Sequence, residues 1–130
     1  MYAAESHGIR VAVRPEFLPD RSDPEGSSYF WAYRVAIENH GDHTLKLLNR
    51  YWRIVDAVGR VEEVRGPGVV GRQPTLRPGE RFEYTSGCPL KTSSGIMSGH
   101  YEMVDDAGMI VEVVIPAFSL DSPYANGVVN

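Results

Sequence analysis

Glycine and proline punctuate this sequence so often that no helically patterned stretch survives for about a dozen residues, and a helical fold is excluded first. There are 13 Gly and 9 Pro in 130 residues, and much of the sequence between them alternates with the period of a strand. From Tyr29 to Asn39, Tyr29, Trp31, Tyr33, Val35 and Ile37 share one face, with Arg34 and Glu38 on the other. His40-Gly41-Asp42-His43 supplies turn chemistry. Alternation resumes over Thr44–Val58, where Leu48, Trp52 and Ile54 oppose Asn49, Tyr51 and Arg53. These two runs are predicted to pair as a hairpin.

Further along, Phe82, Tyr84 and Ser86 alternate with Arg81, Glu83 and Thr85. Met97, Tyr101 and Met103 alternate with Ser98, His100 and Glu102, and Met109, Val111, Val113 and Ile115 line a last strand after an Asp105-Asp106-Ala107-Gly108 turn. An opening strand is expected at Ile9–Val13, after a frayed N-terminus and before a mobile loop over Pro19–Ser28. About seven short antiparallel strands without a helix predict an all-β sandwich of two sheets, immunoglobulin-like or fibronectin-III-like in build. A small barrel of the same strands is the alternative. Gly99-His100-Tyr101-Glu102-Met103 has the spacing of a tyrosine corner. The core is expected to hold Trp31, Tyr33, Val35, Ile37, Trp52, Ile54, Phe82, Tyr84, Tyr101, Met103, Val111 and Val113. The length suits one domain over residues 1–130, with a core from about 9 to 120 and short tails at both ends.

Composition then narrows the class of function. With 42% hydrophobic and 23% charged residues the chain can bury a core, which excludes wholesale disorder. The net charge of −4 argues against gripping nucleic acid through bulk charge. One cysteine, Cys88, excludes an internal disulfide framework and fits a reducing compartment. No apolar run approaches the ~20 residues that span a bilayer, and the N-terminal stretch lacks signal-peptide features. A cytoplasmic location is the expectation. Charge is nevertheless uneven: residues 44–81 hold eight basic and four acidic side chains, giving +4 there and −8 elsewhere.

The motifs that carry chemistry are sparse. Gly66-Pro67-Gly68-Val69-Val70-Gly71 spells G-x-G-x-x-G, but Pro74, Pro78 and Gly79 follow and deny it the helix on which a dinucleotide pyrophosphate rests. Two readings remain. The glycines make a tight inter-sheet crossing, or their amides converge on an anion with Arg65, Arg72 and Arg77 adding charge. His40 and His43 are possible divalent-metal ligands but are two where a structural site wants four. Ser86 and Cys88 could serve as nucleophiles with His100 as base only if a neighbouring strand faces them. Glu62-Glu63 and Asp105-Asp106 are adjacent pairs whose side chains diverge. No catalytic site and no cofactor are expected.

The stretch Gly68–Met103, with Leu47-Leu48-Asn49-Arg50-Tyr51-Trp52-Arg53-Ile54-Val55-Asp56 before it and Ile115-Pro116-Ala117-Phe118-Ser119-Leu120 after it, closely resembles the ApaG family. The resemblance spans roughly Ile9 to Leu120 and implies a fibronectin-III-like or immunoglobulin-like sandwich. It also implies a poorly defined function. Bacterial members are linked genetically to cobalt tolerance and magnesium efflux and are often encoded near a dinucleoside-tetraphosphate hydrolase. Eukaryotic members carry a similar domain on certain F-box proteins and on a polymerase-delta-interacting protein, where it looks like an interaction module. The family's proposed phosphate motif falls on Gly66, Gly68 and Gly71, and no catalytic residues transfer. The expectation is a non-enzymatic interaction module with an unidentified protein partner, without membrane or nucleic acid, and able to self-associate through strand edges. Anion or pyrophosphate-nucleotide binding at Gly66–Arg72 and weak divalent-metal binding are the alternatives.

Overall fold

Alternating apolar and polar residues build nine strands in the computed structural model, which describes residues 1–125. They are β1 (Tyr2–Ser6), β2 (Ile9–Phe17), β3 (Tyr29–Asn39), β4 (Leu45–Asp56), β5 (Val61–Pro67), β6 (Thr75–Leu76), β7 (Arg81–Leu90), β8 (Ser94–Asp105) and β9 (Ile110–Asp121). One sheet runs β1-β2-β3-β7 and the other β5-β4-β8-β9, with β6 pairing beside β4 past the end of β5. All pairings are antiparallel. The sandwich predicted from periodicity is therefore the fold. Of the C-terminal tail expected after Leu120, residues 126–130 lie outside the described residues. Among the described residues, no helix is long and apolar enough to cross a membrane.

Trp52 sits at the centre of the core, edge-on to Tyr33 at 5.3 Å and to Phe118 at 5.9 Å. Ten of the twelve expected core residues are buried; Phe82 and Val111 are half-buried at its margin, and Met109, expected to line β9, is exposed beyond the sheet.

Local pattern mispredicted several connections. β3 and β4 are not a hairpin: β3 lies between β2 and β7, and β4 belongs to the other sheet. The residue that makes the crossing is Asn39, whose buried amide donates to the carbonyls of His43 (2.7 Å) and Leu76 (2.9 Å) while its Oδ1 accepts from the Gly41 amide. Its backbone pairs with Gly79 and Glu80, so the return crossing is clamped to the same residue. That return, at Arg77–Glu80, is the inter-sheet connector before β7; the Gly66–Gly71 segment instead bulges out of the edge formed by β5 and β6.

The N-terminus is a strand and not frayed. His7 (φ 52°) and Gly8 (φ 78°) form the two-residue turn that joins β1 to β2, the positive-φ pair that matches strand twist. The Pro19–Ser28 segment, expected to be mobile, folds into two short 3-10 turns tied by Ser22, whose hydroxyl donates to Leu18 O and accepts from Phe30 N. Tyr101 does not make a tyrosine corner. Its hydroxyl lies in the sandwich interior against that of Tyr84 in the opposite sheet.

One irregularity decides the site. The β4–β8 register shifts between Leu47 and Asn49, leaving Leu48 as an extra residue. A bulge reverses which side chains face inward. Leu45 and Leu47 point inward before it, whereas Trp52 and Ile54 are the buried residues after it. Leu48, expected to share the face of Trp52, is half-buried at the bulge. Arg50 shares the parity of Trp52 and so turns toward the interior.

Candidate functional site

The two sheets close against each other on one side only. There β1 and β2 pack on β9. On the other side β5 and β7 end their sheets, and the gap between them opens as a groove of about 760 Å³ lined by Asp56, Arg60, Glu62, Pro89 and Lys91 among others. Toward Val69–Gly71 a second hollow of about 200 Å³ reaches between the sheets to Tyr33, Arg50, Trp52, Tyr84 and Ser86.

The edge of β7 is unpaired on the groove side. The Phe30 amide donates to Ser22 Oγ and its carbonyl accepts from Leu18 N, so both point away from β7. Its partner Pro89 must then direct its own backbone away from β3, which is where a proline is tolerated on an edge. Counting back in alternation, Gly87, Thr85 and Glu83 present N–H and C=O groups to the open side. Glu83 is held by Arg34 and Arg81, charges of the kind that guard an edge against indiscriminate pairing.

In the inner hollow, Arg50 Nη1 donates to Pro67 O (2.9 Å) and Gly68 O (3.0 Å). Its guanidinium lies flat under Gly66, where a Cβ would come within 3.1 Å of Cζ and both Nη atoms. A close approach of this kind is what a glycine permits. Arg50 has no carboxylate partner among the described residues. Three phenols share its surroundings. Tyr33 stands opposite Ser86 in the β3–β7 register; burial pushes its pKa up, partly offset by a hydrogen bond from Ser86 and by the Arg50 charge. Tyr84 and Tyr101 meet at 2.5 Å between hydroxyl oxygens, and burial drives both well above the ordinary phenol value.

The residues singled out in the sequence are dispersed. Gly68 N donates to Leu48 O, and Val69 and Arg72 exchange both backbone hydrogen bonds around Val70 and Gly71. Three amides of the glycine segment are thereby engaged within the protein, and the chain there is a turn with no helix. Arg65 stacks on Tyr51 at 4.4 Å, on the outer face of its sheet, Arg72 closes the turn, and Arg77 stands at the return crossing. His40 lies between Glu38 (3.0 Å) and Glu5 (3.5 Å). The contact between His43 and this neighbourhood is through its carbonyl, on Asn39. Among the described residues, no three His, Cys, Asp or Glu side chains gather as a metal site.

Ser86 and Cys88 belong to β7, whereas His100 is on β8 in the other sheet, stacked at 5.0 Å on the Tyr51 ring. Nucleophile and base are therefore not brought together. Cys88 is buried, and its thiol is pushed up to about 12 by burial and, secondarily, by Glu62. Glu63 accepts from the Tyr51 hydroxyl, while the Asp105 carboxylate accepts from the Ala107 and Met109 amides to shape the β8–β9 turn. The residue sequence reasoning passed over is Arg50. Its signal was present in the alternation itself, since a basic residue at the parity of Trp52 and Ile54 stands on the face assigned to the core.

The sequence model of the family described as ApaG domain matches residues 19–105. Protein ApaG of Rhodospirillum centenum is 60% identical over 124 residues, 95% of each chain. Protein ApaG of Beijerinckia indica is 55% identical over 130 residues, the full length of both. Among solved structures, the crystal structure of an ApaA protein from Bordetella pertussis superposes with a TM-score of 0.86 at 46% identity, covering 95% of this chain and 98% of that one.

Proposed function

The chain belongs to the ApaG family, and from that premise we propose that it is a non-enzymatic interaction module that takes an extended segment of a partner protein along the free edge of β7. The observation that carries this reading is the one-sided opening of the sandwich. β7 offers unpaired backbone groups at Glu83, Thr85 and Gly87, and the edge runs on to Pro89, where it enters a groove of about 760 Å³. Backbone hydrogen bonds from such an edge supply affinity, and alternate side chains entering the groove supply selectivity. The groove carries both signs of charge, with Asp56 and Glu62 facing Arg60 and Lys91, which suits a polar segment over a lipid surface. The nucleophile candidates Ser86 and Cys88 and the base candidate His100 stand in different sheets, which supports a binding role over a reaction.

Thr85→Pro tests the edge directly. It removes one outward N–H and spares the ladder to β3, so the melting temperature is expected to stay close to that of the parent chain. Immobilised parent protein should retain a stoichiometric partner from lysate of the source cell, and Thr85→Pro should lose it. Equal retention by a folded variant would refute strand addition at this edge.

A further inference from the structure

Three features stand apart from that edge: the ion-paired surface around Glu38, the groove mouth at Arg60, and the inner hollow at Arg50. The first two are internally neutralised, with Arg81 and His40 on Glu38 and Arg60 on Asp56. The third is not. Arg50 is half-buried, is turned inward by the Leu48 bulge, and has two carbonyls and, among the described residues, no carboxylate against it. Withdrawing a guanidinium from water without a counter-charge is costly, and the cost is met if an anion enters.

The lip of the hollow adds an independent observation. Val70 has φ 43° although it is β-branched, a conformation rarely adopted by such a residue and strained by roughly 1–3 kcal/mol. It buries little in return, being 56% exposed. Asn, Asp or Gly would fill this turn position without strain. Strain that packing does not explain is found where a segment is held over a ligand site. Val69, beside it, is buried and pins the turn to the sandwich.

We propose that the hollow between the sheets binds a small oxyanion, a carboxylate or a phosphate group, on the Arg50 guanidinium with the Tyr33, Tyr84 and Ser86 hydroxyls around it and the Val69–Gly71 turn as its lip. The volume of about 200 Å³ admits the oxyanion and a short body, while any nucleoside attached to it stays outside. Planar guanidinium donors suit either oxyanion. The site differs from a glycine-loop anion nest in that side chains, and not the engaged amides of Gly68, Val69 and Arg72, make the contacts. The inference is independent of strand addition at β7.

Titration of the isotopically labelled full chain with inorganic phosphate, and separately with acetate, at constant ionic strength tests it. Saturable shifts are expected at Arg50 Nε and at the Val70, Gly71 and Ser86 amides. Saturation by one probe alone identifies the oxyanion, and saturation by both supports the shared chemistry. Arg50→Gln should weaken binding at least about ten-fold, the scale of one lost charge-assisted contact. Ser86→Ala and Tyr33→Phe should each weaken it several-fold and keep the test alive if Arg50→Gln fails to fold. Absence of saturation with either probe, shifts confined to Arg72 and Arg77, or unchanged affinity in the folded variants would overturn the proposal.

Discussion

Tyr84 and Tyr101 reach across the sandwich from opposite sheets, and their hydroxyls satisfy each other at 2.5 Å. The pair is asymmetric. Tyr101 is fully buried, whereas Tyr84 lines the hollow beside Arg50. Tyr84→Phe therefore strands a hydroxyl that water does not reach and should cost about 1–3 kcal/mol. Tyr101→Phe should cost less, because the Tyr84 hydroxyl is left at the hollow. The double variant should cost less than the sum of the two, a coupling that urea melts of the four proteins would measure and that strict additivity would contradict. Cys88 makes a pH-dependent prediction at the same scale. Its folded pKa, about 12, lies above the ordinary 9.0, so the fold favours the neutral thiol. That contribution is complete below pH 9, declines as the unfolded thiol ionises, and is lost as pH approaches 12. Replacing Cys88 by Ala should flatten this part of the stability profile between pH 8 and 11, and alkylation of the native parent at pH 8 should be slow until it is unfolded.

At the scale of elements, strands that bury one face were legible and strands that bury little were not. β3, β7 and β8 alternate cleanly because one face of each meets the opposite sheet, whereas β9 keeps its period to Ile115 and then switches its buried parity to Pro116, Phe118 and Leu120 at a register slip against β8. β5 reads Val61-Glu62-Glu63-Val64-Arg65-Gly66-Pro67 and buries no residue fully, so it carried no apolar period to detect. β1 was hidden for a related reason, its small and polar residues being half-buried at most. The β1–β2 turn supplies the prediction here. A Cβ on Gly8, at φ 78°, would stand 2.8 Å from Gly41 Cα in the crossing loop, and the Gly8 carbonyl accepts from His40 N. Gly8→Ala should destabilise the protein by about 1–3 kcal/mol, through both positive φ and a clash that only backbone movement relieves. His7→Asn, which suits the preceding turn position, should be neutral or slightly stabilising. A thermal melt in which Gly8→Ala matched the parent would show that this contact does not hold the hairpin.

For the whole molecule, the decisive asymmetry is one closed side and one open side. β1 helps close the first, with Tyr2 packing 5.9 Å from Phe118 between ring centres. Removing residues 1–6 should expose the β2 edge and the flank of β9, lower the melting temperature by several degrees and promote association detectable by light scattering. A shortened chain with an unchanged melt and unchanged mass in solution would contradict that account.

The amino-acid order by itself determined that the molecule is a helix-poor sandwich, which residues form most of its core, and which family it resembles. The fold class and the core follow from period and local composition, which neighbours within a strand suffice to encode, and the resemblance rests on the ordered motif over Gly68–Met103. Only the tertiary structure decided that β3 and β4 part into different sheets, that Asn39 clamps both crossings, and that one extra residue at Leu48 lets Leu45 and Leu47 face inward on the same strand as Trp52 and Ile54. Each depends on which strands occupy the two sides of a neighbour and on where a ladder slips by one residue. Those are contacts between segments far apart in the chain, and no local period records them.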